Sequence, residues 1–270
     1  MNQDRPQRYG RLIVNADDWG RDFETTERTL ECVLKGAISS VSAMVFMEDS
    51  ERAAAVAQDH GIDTGLHLNF TTPFTVTGCA AQLTRHQESV SRYLRRHRLA
   101  QVVFHPGLAN SFEYLVSAQR DEFVRLFGKE PDRLDGHHHM HLCSNVVFGG
   151  LLRQGIKVRR NFSIQPGEKD VFNRFYRQTV DRIIARRHHL TDLFFSLPPL
   201  DPLGRVQKIF SLANEFTVEV ETHPINPEEY RFLTGGEIFR LAGDRTIARS
   251  YALPSDGNAR RSLHLSGHKG

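Results

Sequence analysis

The stretch Arg11-Leu-Ile-Val-Asn-Ala-Asp-Asp-Trp-Gly20 indicates the fold of this chain. Its apolar part, residues 11–16, has the length of a buried strand and ends in two adjacent aspartates. Helix-like and strand-like patterns then alternate up to residue 69: a helix over 23–35, a strand over 38–46, a helix over 50–58 and a strand over 64–69. A β–α–β–α–β order is typical of a parallel sheet with crossover helices.

The same alternation continues to about residue 235. It predicts strands at 133–135, 156–159, 192–196 and 216–222, and helices at about 87–96, 111–127, 171–187 and 205–213. About seven βα units in roughly 250 residues suit a closed barrel better than an open doubly wound sheet. No repeat or linker divides the chain, so we predict a single domain over 1–270, with its motifs in about 11–235 and a flexible tail at 255–270.

Composition excludes several classes of protein. Of the 270 residues, 39% are hydrophobic and 25% are charged, which is enough apolar material for a core. The formal net charge of +3 argues against a nucleic-acid partner, and no apolar run has the length of a membrane span. The three cysteines are widely spaced, and the first residues lack the apolar region of a secretory signal. We therefore expect a cytoplasmic protein with reduced thiols.

Polar residues follow the predicted strands at the points where those strands end. Asp17 and Asp18 end the first strand, His67 ends the third, and His137 and His223 follow later strands. The carboxyl ends of barrel strands open on one face, where barrel enzymes have their active sites. Of two adjacent carboxylates pointing in different directions, one can bind a metal while the other moves protons. Taken singly, the aspartates also fit a helix cap or turn, and the histidines fit hydrogen-bonded core positions.

The segment Asp135-Gly-His-His-His-Met-His141 is the strongest single signal for a metal. Imidazole is a common ligand of zinc and similar metals, and a carboxylate such as Asp135 commonly orients a ligating histidine. If the backbone is extended, His137, His139 and His141 face one way and His138 the other. One histidine ligand supported by the others is then favoured over four ligands.

Other residues have two interpretations each. Pro224 holds His223 extended, so this histidine is either a capped strand end or a general acid. Arg159 and Arg160 either meet an anionic intermediate or sugar hydroxyls, or at least one of them is a solvated surface residue. The sequence contains no G-x-S-x-G, H-E-x-x-H, P-loop or G-x-G-x-x-G motif. The sequence therefore carries no trace of the mechanisms that these motifs serve.

Four segments together resemble the YdjC-like carbohydrate deacetylases, the family of chitooligosaccharide deacetylases. They are Leu12-Ile-Val-Asn-Ala-Asp-Asp-Trp-Gly20, Gly65-Leu-His-Leu68, Asp135-Gly-His-His-His-Met-His141 and Thr222-His-Pro224. Trp19 stands where the family usually has Phe, and Gly136 where Ser is common. The segments 69–110 and 159–187 resemble the family less clearly, so the chemistry carries over better than the specificity.

The resemblance implies a distorted (β/α) barrel that holds one divalent metal ion. Carried over by position, the ligands are Asp18, His67 and His137, the general base is Asp17, and the general acid is His223. The remaining polar candidates would bind substrate or support the ligands: His139, His141, Arg159 and Asp135. The ligand set suits Zn²⁺ and also permits Mg²⁺ or Mn²⁺.

The implied reaction removes the acetyl group of an N-acetylated sugar and releases acetate and a free amine. Two alternatives stay open: another metal-dependent amide or phosphoester hydrolase on the same barrel, or a non-catalytic carbohydrate-binding protein. Trp19, Phe70 and Phe74 either stack on sugar rings or belong to the core. We expect no nucleic-acid or membrane partner, and a homodimer is one option for the assembly.

Overall fold

The computed structural model of the chain describes residues 10–96, 99–163, 171–243 and 247–251. Seven strands in these ranges form one sheet, in the order β5-β4-β3-β2-β1-β7-β6, and every neighbouring pair is parallel. The strands are β1 Arg11–Trp19, β2 Ser40–Ala43, β3 Thr64–Leu68, β4 Arg133–Gly136, β5 Lys157–Val158, β6 Leu193–Ser196 and β7 Thr217–Thr222. The predicted tail at 255–270 lies outside the described residues.

The two edge strands of the sheet, β5 and β6, approach each other through irregular backbone contacts. Lys157 forms an isolated parallel bridge with His189, just before β6. Further along, the Ser163 amide donates to the Phe194 carbonyl at 2.8 Å, and the Phe194 amide donates to Ser163 Oγ at 3.0 Å. The sheet is therefore a curled half-barrel, which confirms the predicted distorted barrel of about seven parallel strands.

The described helices follow the strands along the chain. They are α1 Phe23–Leu34, α2 Ser50–Asp59, α3 Ala81–Arg96, α4 Ala109–Phe127, α5 Ser144–Gly149, α6 Val171–Ile184, α7 Gly204–Leu212, α8 Pro227–Thr234 and α9 Glu237–Ala242. Helix α3 begins six residues before its predicted start, because Leu83 extends the apolar face of Val90 and Leu94 by two turns. None of the described helices is long and apolar enough to span a bilayer.

Strand β1 shows how the sheet separates two environments. Leu12, Val14 and Ala16 belong to the hydrophobic core that the sheet shares with its helices. Asn15 and Asp17 alternate with them and are also buried, but they make polar contacts on the other side of the sheet. Because side chains alternate along a strand, the helix-facing side is apolar and the inside of the curled sheet is polar.

Strand β7 repeats this division with charged residues. Val218 and Val220 join the apolar core, whereas Glu219 and Glu221 are buried and both contact one arginine, Arg159. The interior of the half-barrel thus contains buried charged side chains, which extend to the carboxyl ends of the strands.

Candidate active site

The Asp17–Asp18 pair lies at an irregularity in β1. The pairing between β1 and β2 runs in register to Ala16, then shifts before Trp19. Asp18 adopts a left-handed backbone conformation with φ of 65°, which is uncommon outside glycine but tolerated by aspartate. In a regular strand the two carboxylates would point to opposite faces. The bulge turns Asp18 back, so that both carboxylates reach His67.

Three of the predicted side chains, from three different strand ends, meet at this bulge. Asp18 Oδ1 lies 2.8 Å from His137 Nδ1 and 3.3 Å from His67 Nε2. One donor atom from each residue falls within 4.8 Å of the others, and all three residues are buried. Within the described part of the chain, Asp18 Oδ1 and His67 Nε2 have no well-aligned hydrogen bond. Buried polar atoms without partners are costly, and a shared cation would satisfy both.

A second carboxylate sets the orientation of His67. Asp135 Oδ1 lies 2.7 Å from His67 Nδ1, which leaves Nε2 to face Asp18. Burial disfavours the imidazolium, but the carboxylates of Asp17 and Asp135 outweigh it and raise the pKa of His67 to about 10. Burial also opposes ionisation of Asp18, yet the close approach of His137 and His67 holds its pKa well below the usual range. The pocket therefore carries excess negative charge, which a divalent cation would neutralise.

The histidine segment is not extended, so the predicted alternation of its side chains is wrong. Residues His137–Leu142 form a tight 3₁₀ segment in which His138 and His139 have left-handed φ values of 54° and 57°. Gly136 permits this fold, because a Cβ at that position would come within 3.0 Å of His141. Because the backbone turns directly after His137, His137 is the histidine of this segment that faces Asp18.

The other three histidines of the segment go to different places. His138 Nδ1 lies 2.9 Å from Thr71 Oγ1. His139 is 30% exposed, with Nε2 3.6 Å from Glu221 and its ring against Phe162. His141 is fully buried with Nε2 3.0 Å from the Arg159 carbonyl, and burial lowers its pKa to about 3, so it is neutral.

Arg159 is a buried ionic centre, not a residue that faces substrate. Its side chain is 1% exposed, and its guanidinium contacts the carboxylates of Asp17, Asp135, Glu219 and Glu221. Its five N–H groups are used in these contacts, so none is left for an anionic intermediate or a sugar hydroxyl. Arg160 is partly exposed and pairs with Asp181, so of the two arginines it is the one that meets solvent.

Asp17 is clamped on one side and faces His67 on the other. Its Oδ1 accepts from Asn15 Nδ2 at 2.9 Å and from Arg159 Nη2 at 2.7 Å. Its Oδ2 accepts from Arg159 Nη1 at 2.6 Å and lies 4.0 Å from His67 Nε2. Burial raises the pKa of Asp17, but the Arg159 charge outweighs it and keeps the pKa lowered. Asp17 is therefore an ionised carboxylate beside the Asp18–His67–His137 group.

His223 follows the last residue of β7 and is partly buried. Burial opposes its charged form, but Asp17, Glu221, Asp18 and Glu229 surround it with negative charge and raise its pKa. The structure thus places an imidazole that favours the protonated state near the two aspartates of β1.

Sequence reasoning missed most of the interior that holds these groups. Arg133 donates to Ser42 Oγ and the Val41 carbonyl, and Ser42 Oγ donates to Asp135 at 2.6 Å. Gly65 leaves room for Arg133, because a Cβ there would lie 2.7 Å from its Cζ. The available signal was the alternation Thr217-Val-Glu-Val-Glu-Thr222, in which valines and charges occupy opposite faces of one strand.

Two of the predicted sugar-stacking residues belong to the core. Trp19 and Phe70 have no exposed surface, and the Trp19 indole N–H donates to the Ala53 carbonyl at 3.1 Å. Phe74 is partly buried and packs against Phe46. Neither Trp19 nor Phe70 can contact a ligand without rearrangement.

Comparison with known proteins identifies the family. The model of the YdjC-like protein family matches residues 11–240, which include all of the side chains described above. The chain belongs to the YdjC-like family. A mouse protein named carbohydrate deacetylase is 30% identical over 251 residues, which cover 80% of this chain and 78% of the mouse protein.

Two bacterial relatives carry related names. A chitooligosaccharide deacetylase of Serratia marcescens is 31% identical over 136 residues, which is 50% of this chain and 52% of that protein. A carbohydrate deacetylase of Vibrio cholerae is 25% identical over 256 residues, covering 86% of this chain and 90% of that protein. The match therefore spans most of the mouse and Vibrio YdjC-like proteins but only about half of the Serratia one.

A solved structure shares the fold at low sequence identity. It is a protein of Enterococcus faecalis V583 described as a cellobiose-phosphate cleavage protein. It superposes with a TM-score of 0.66 over 89% of this chain and 97% of that one, at 16% identity. This similarity supports the YdjC-like barrel and carries no information about substrate.

Proposed function

We propose that this protein removes the acetyl group from an N-acetylated amino sugar, giving acetate and a free amine. The observation that carries the proposal is the Asp18–His67–His137 group with the ionised Asp17 beside it, at the carboxyl ends of β1, β3 and β4. The relatives named as carbohydrate deacetylases support this reaction type. An acetamide resists hydrolysis near neutral pH, so the site must activate both the carbonyl and the water.

The residues present fit a divalent metal ion. Two imidazole nitrogens and one carboxylate oxygen converge, and two of these buried atoms lack a hydrogen bond among the described residues. We propose Asp18, His67 and His137 as the ligands of one ion, with Asp135 fixing the tautomer of His67. Zn²⁺ fits this donor set, and Mg²⁺ fits it with more water ligands. A bound ion would supply a Lewis acid that polarises the acetyl carbonyl and lowers the pKa of water.

Asp17 is the proposed general base. The clamp by Asn15 and Arg159 fixes its carboxylate plane, while Oδ2 retains a lone pair on the side of His67. As water attacks the acetyl carbon, Oδ2 takes one water proton and the oxygen forms the new C–O bond. The lowered pKa keeps Asp17 in the ionised form that accepts a proton, and it also makes Asp17 a weaker base.

His223 is the proposed general acid. Its raised pKa favours the imidazolium at neutral pH, so a proton is available for the departing amine. When the C–N bond breaks, the amine nitrogen takes this proton, and acetic acid and the amino sugar leave; the acid then gives its proton to solvent and becomes acetate. The proton on Asp17 then restores His223 through solvent. His139, which is 30% exposed beside Glu221, is the proposed substrate contact among the flanking histidines.

The rival phosphoesterase chemistry finds less support in these residues. Two-metal phosphoester hydrolysis needs a second cation about 4 Å away. The second group of potential ligands is Asp17, His67 and Asp135, but it shares His67 with the first group. Its two carboxylates, Asp17 and Asp135, already bind the guanidinium of Arg159. One ion for each chain is the arrangement that the charges favour.

An acetate-release screen tests the proposal. The metal-stripped protein is assayed on N-acetylated mono- and oligosaccharides with Zn²⁺, Mg²⁺ or Mn²⁺ added, and Asp17→Asn serves as the inactive control. Acetate released from at least one sugar by the wild type alone supports a deacetylase. Sugar binding with no acetate from any substrate would instead favour the carbohydrate-binding alternative. The cytoplasmic location and the homodimer stay predictions.

A further inference from the structure

Glu229 is a buried carboxylate that no step described above uses. It lies in the first turn of α8 and is 2% exposed. Its Oε2 accepts two hydrogen bonds, from Thr222 Oγ1 at 2.7 Å and from the His223 backbone amide at 2.9 Å. Both donors belong to the end of β7, so this carboxylate ties a helix to the residue proposed as the general acid.

The connection between β7 and α8 holds the His223 backbone from both sides. Glu229 binds the His223 amide, and the Asn226 amide donates to the His223 carbonyl at 2.8 Å. Pro224 further restricts the His223 backbone to an extended conformation. With both peptide groups bound, these contacts fix the His223 backbone and the direction of its Cα–Cβ bond.

Helix capping does not explain Glu229. Asn226 caps α8, because its Oδ1 accepts from the Glu228 amide at 2.9 Å. In a capping box, a glutamate at the position of Glu229 would accept from the backbone amide of Asn226. That amide donates to His223 instead, and Glu229 reaches past it to the strand end. Burial raises the pKa of Glu229, and the bonds from the His223 amide and the Thr222 hydroxyl oppose that rise, so the strand end is what keeps its charge.

We propose that Glu229 is a positioning residue for His223, holding the imidazole towards the catalytic face and contributing negative charge beside it. This inference rests on the proposed function of His223. The charged groups that face His223 come from three elements: Asp17 and Asp18 of β1, Glu221 of β7 and Glu229 of α8. The other three already have a proposed role or partner: Asp18 is a proposed ligand, Asp17 the proposed base, and Glu221 a contact of Arg159. Glu229 has none of these.

The first test compares Glu229→Gln with Glu228→Gln. The neighbouring Glu228 is exposed on the same helical turn, so its variant removes the same charge without touching His223. Glu229→Gln keeps an acceptor oxygen but loses the charge, and we expect kcat to fall about 10-fold, the scale of one charge-assisted hydrogen bond. KM and metal content should stay as in the wild type. Equal kcat values for the two variants would overturn the proposal.

A double-mutant cycle with His223→Gln shows whether Glu229 acts through His223. In the His223→Gln background, Glu229→Gln should cause no further loss of kcat, because the group that it positions is absent. A loss as large as that in the wild-type background would show an independent or purely structural role. Thermal unfolding of all four proteins identifies any loss that follows from misfolding.

An NMR titration separates this inference from the proposed deacetylase activity. The His223 imidazole is followed against pH in the wild type, in Glu229→Gln and in Glu228→Gln, with no substrate present. We expect a lower His223 pKa in Glu229→Gln alone, since one of the surrounding negative charges is removed. An unchanged His223 pKa overturns the inference even in an active enzyme. A lowered pKa in a protein that releases no acetate supports it while the proposed function fails.

Discussion

Replacing Arg159 by lysine tests whether the buried charge network holds the site together. The guanidinium spans four carboxylates through five contacts: 2.6 and 2.7 Å to Asp17, 2.8 Å to Asp135, and 2.7 and 3.4 Å to Glu219 and Glu221. Lysine keeps the charge but has three N–H donors in place of five, and it lacks the planar fork. Arg159→Lys therefore isolates geometry from charge.

The expected loss of stability follows from the contacts that lysine cannot make. At least two charge-assisted hydrogen bonds disappear, and at about 1.5–3 kcal/mol each the free energy of unfolding falls by about 3–6 kcal/mol. Full screening by water does not apply, because the Arg159 side chain is only 1% exposed. The free energy of unfolding of a typical domain is about 5–15 kcal/mol in total. The variant should therefore remain folded but lose a large part of that free energy.

Turnover should fall as well, because Asp17 loses its two-point clamp. A misplacement on the order of 1 Å costs roughly 100-fold in rate, so we expect a loss of that order in acetate release. Urea unfolding can be followed by fluorescence, since the single tryptophan, Trp19, is fully buried beside the site.

Arg160→Lys is the matched control for Arg159→Lys. Arg160 is adjacent in sequence, is 25% exposed and pairs with one carboxylate, Asp181. Arg160 also donates to the carbonyls of Thr191 and Asp192, so Arg160→Lys should lose some stability. The loss should be smaller than for Arg159→Lys, because this site is partly exposed and holds one carboxylate instead of four. If both lysine variants lose the same stability, or if Arg159→Lys keeps full activity, the network does not position Asp17.

Three further predictions concern the site itself. Asp18→Asn should bind metal more weakly and regain activity when excess metal is added. Asp17→Asn should keep its metal but lose about 100-fold or more in turnover, and added metal should not restore it. The reverse pattern would mean that the two aspartates have exchanged roles. His137→Ala should lose most of its metal in equilibrium dialysis while His138→Ala keeps it, and equal losses would contradict the ligand set. The raised pKa of His223 means that its imidazolium persists above the usual range, so kcat should fall as pH rises through that pKa. His223→Gln should abolish this alkaline limb.

The fold was predictable because its strands are apolar on the helix-facing side. Short apolar runs such as Leu12-Ile-Val14 alternate with amphipathic helices, and that order favours a parallel barrel. The convergence of Asp18, His67 and His137 was predictable for the same reason, since parallel strands end on one face. Boundaries were less accurate where periodicity fades, as at the start of α3.

The polar interior was not predictable by the same rules. A charged residue within a strand is ordinarily assigned to solvent, yet Arg133, Glu219 and Arg159 are almost completely buried. Their burial depends on partners that are far apart in sequence, such as Arg159 and Asp17, 142 positions away. The sequence alone shows the alternation but not which face turns inward. The backbone conformation of His137–Leu142 was also not predictable, because it depends on the space that Gly136 leaves for His141.

The bulge at Asp17–Asp18 explains why two adjacent aspartates can have different roles at one site. Strand alternation would send Asp18 towards the helices, where an ionised carboxylate is costly to bury. The left-handed conformation of Asp18 and the register shift before Trp19 turn it back, at a local cost of about 1–3 kcal/mol. Trp19 and Gly20 stabilise that turn. The Trp19 indole donates to the Ala53 carbonyl, and Gly20 has a φ of 83° at a place where a Cβ would lie 3.2 Å from the Ala53 Cβ. The pair Trp19-Gly20 therefore supports the arrangement in which Asp17 stays in the strand, clamped by Arg159, while Asp18 faces the histidines.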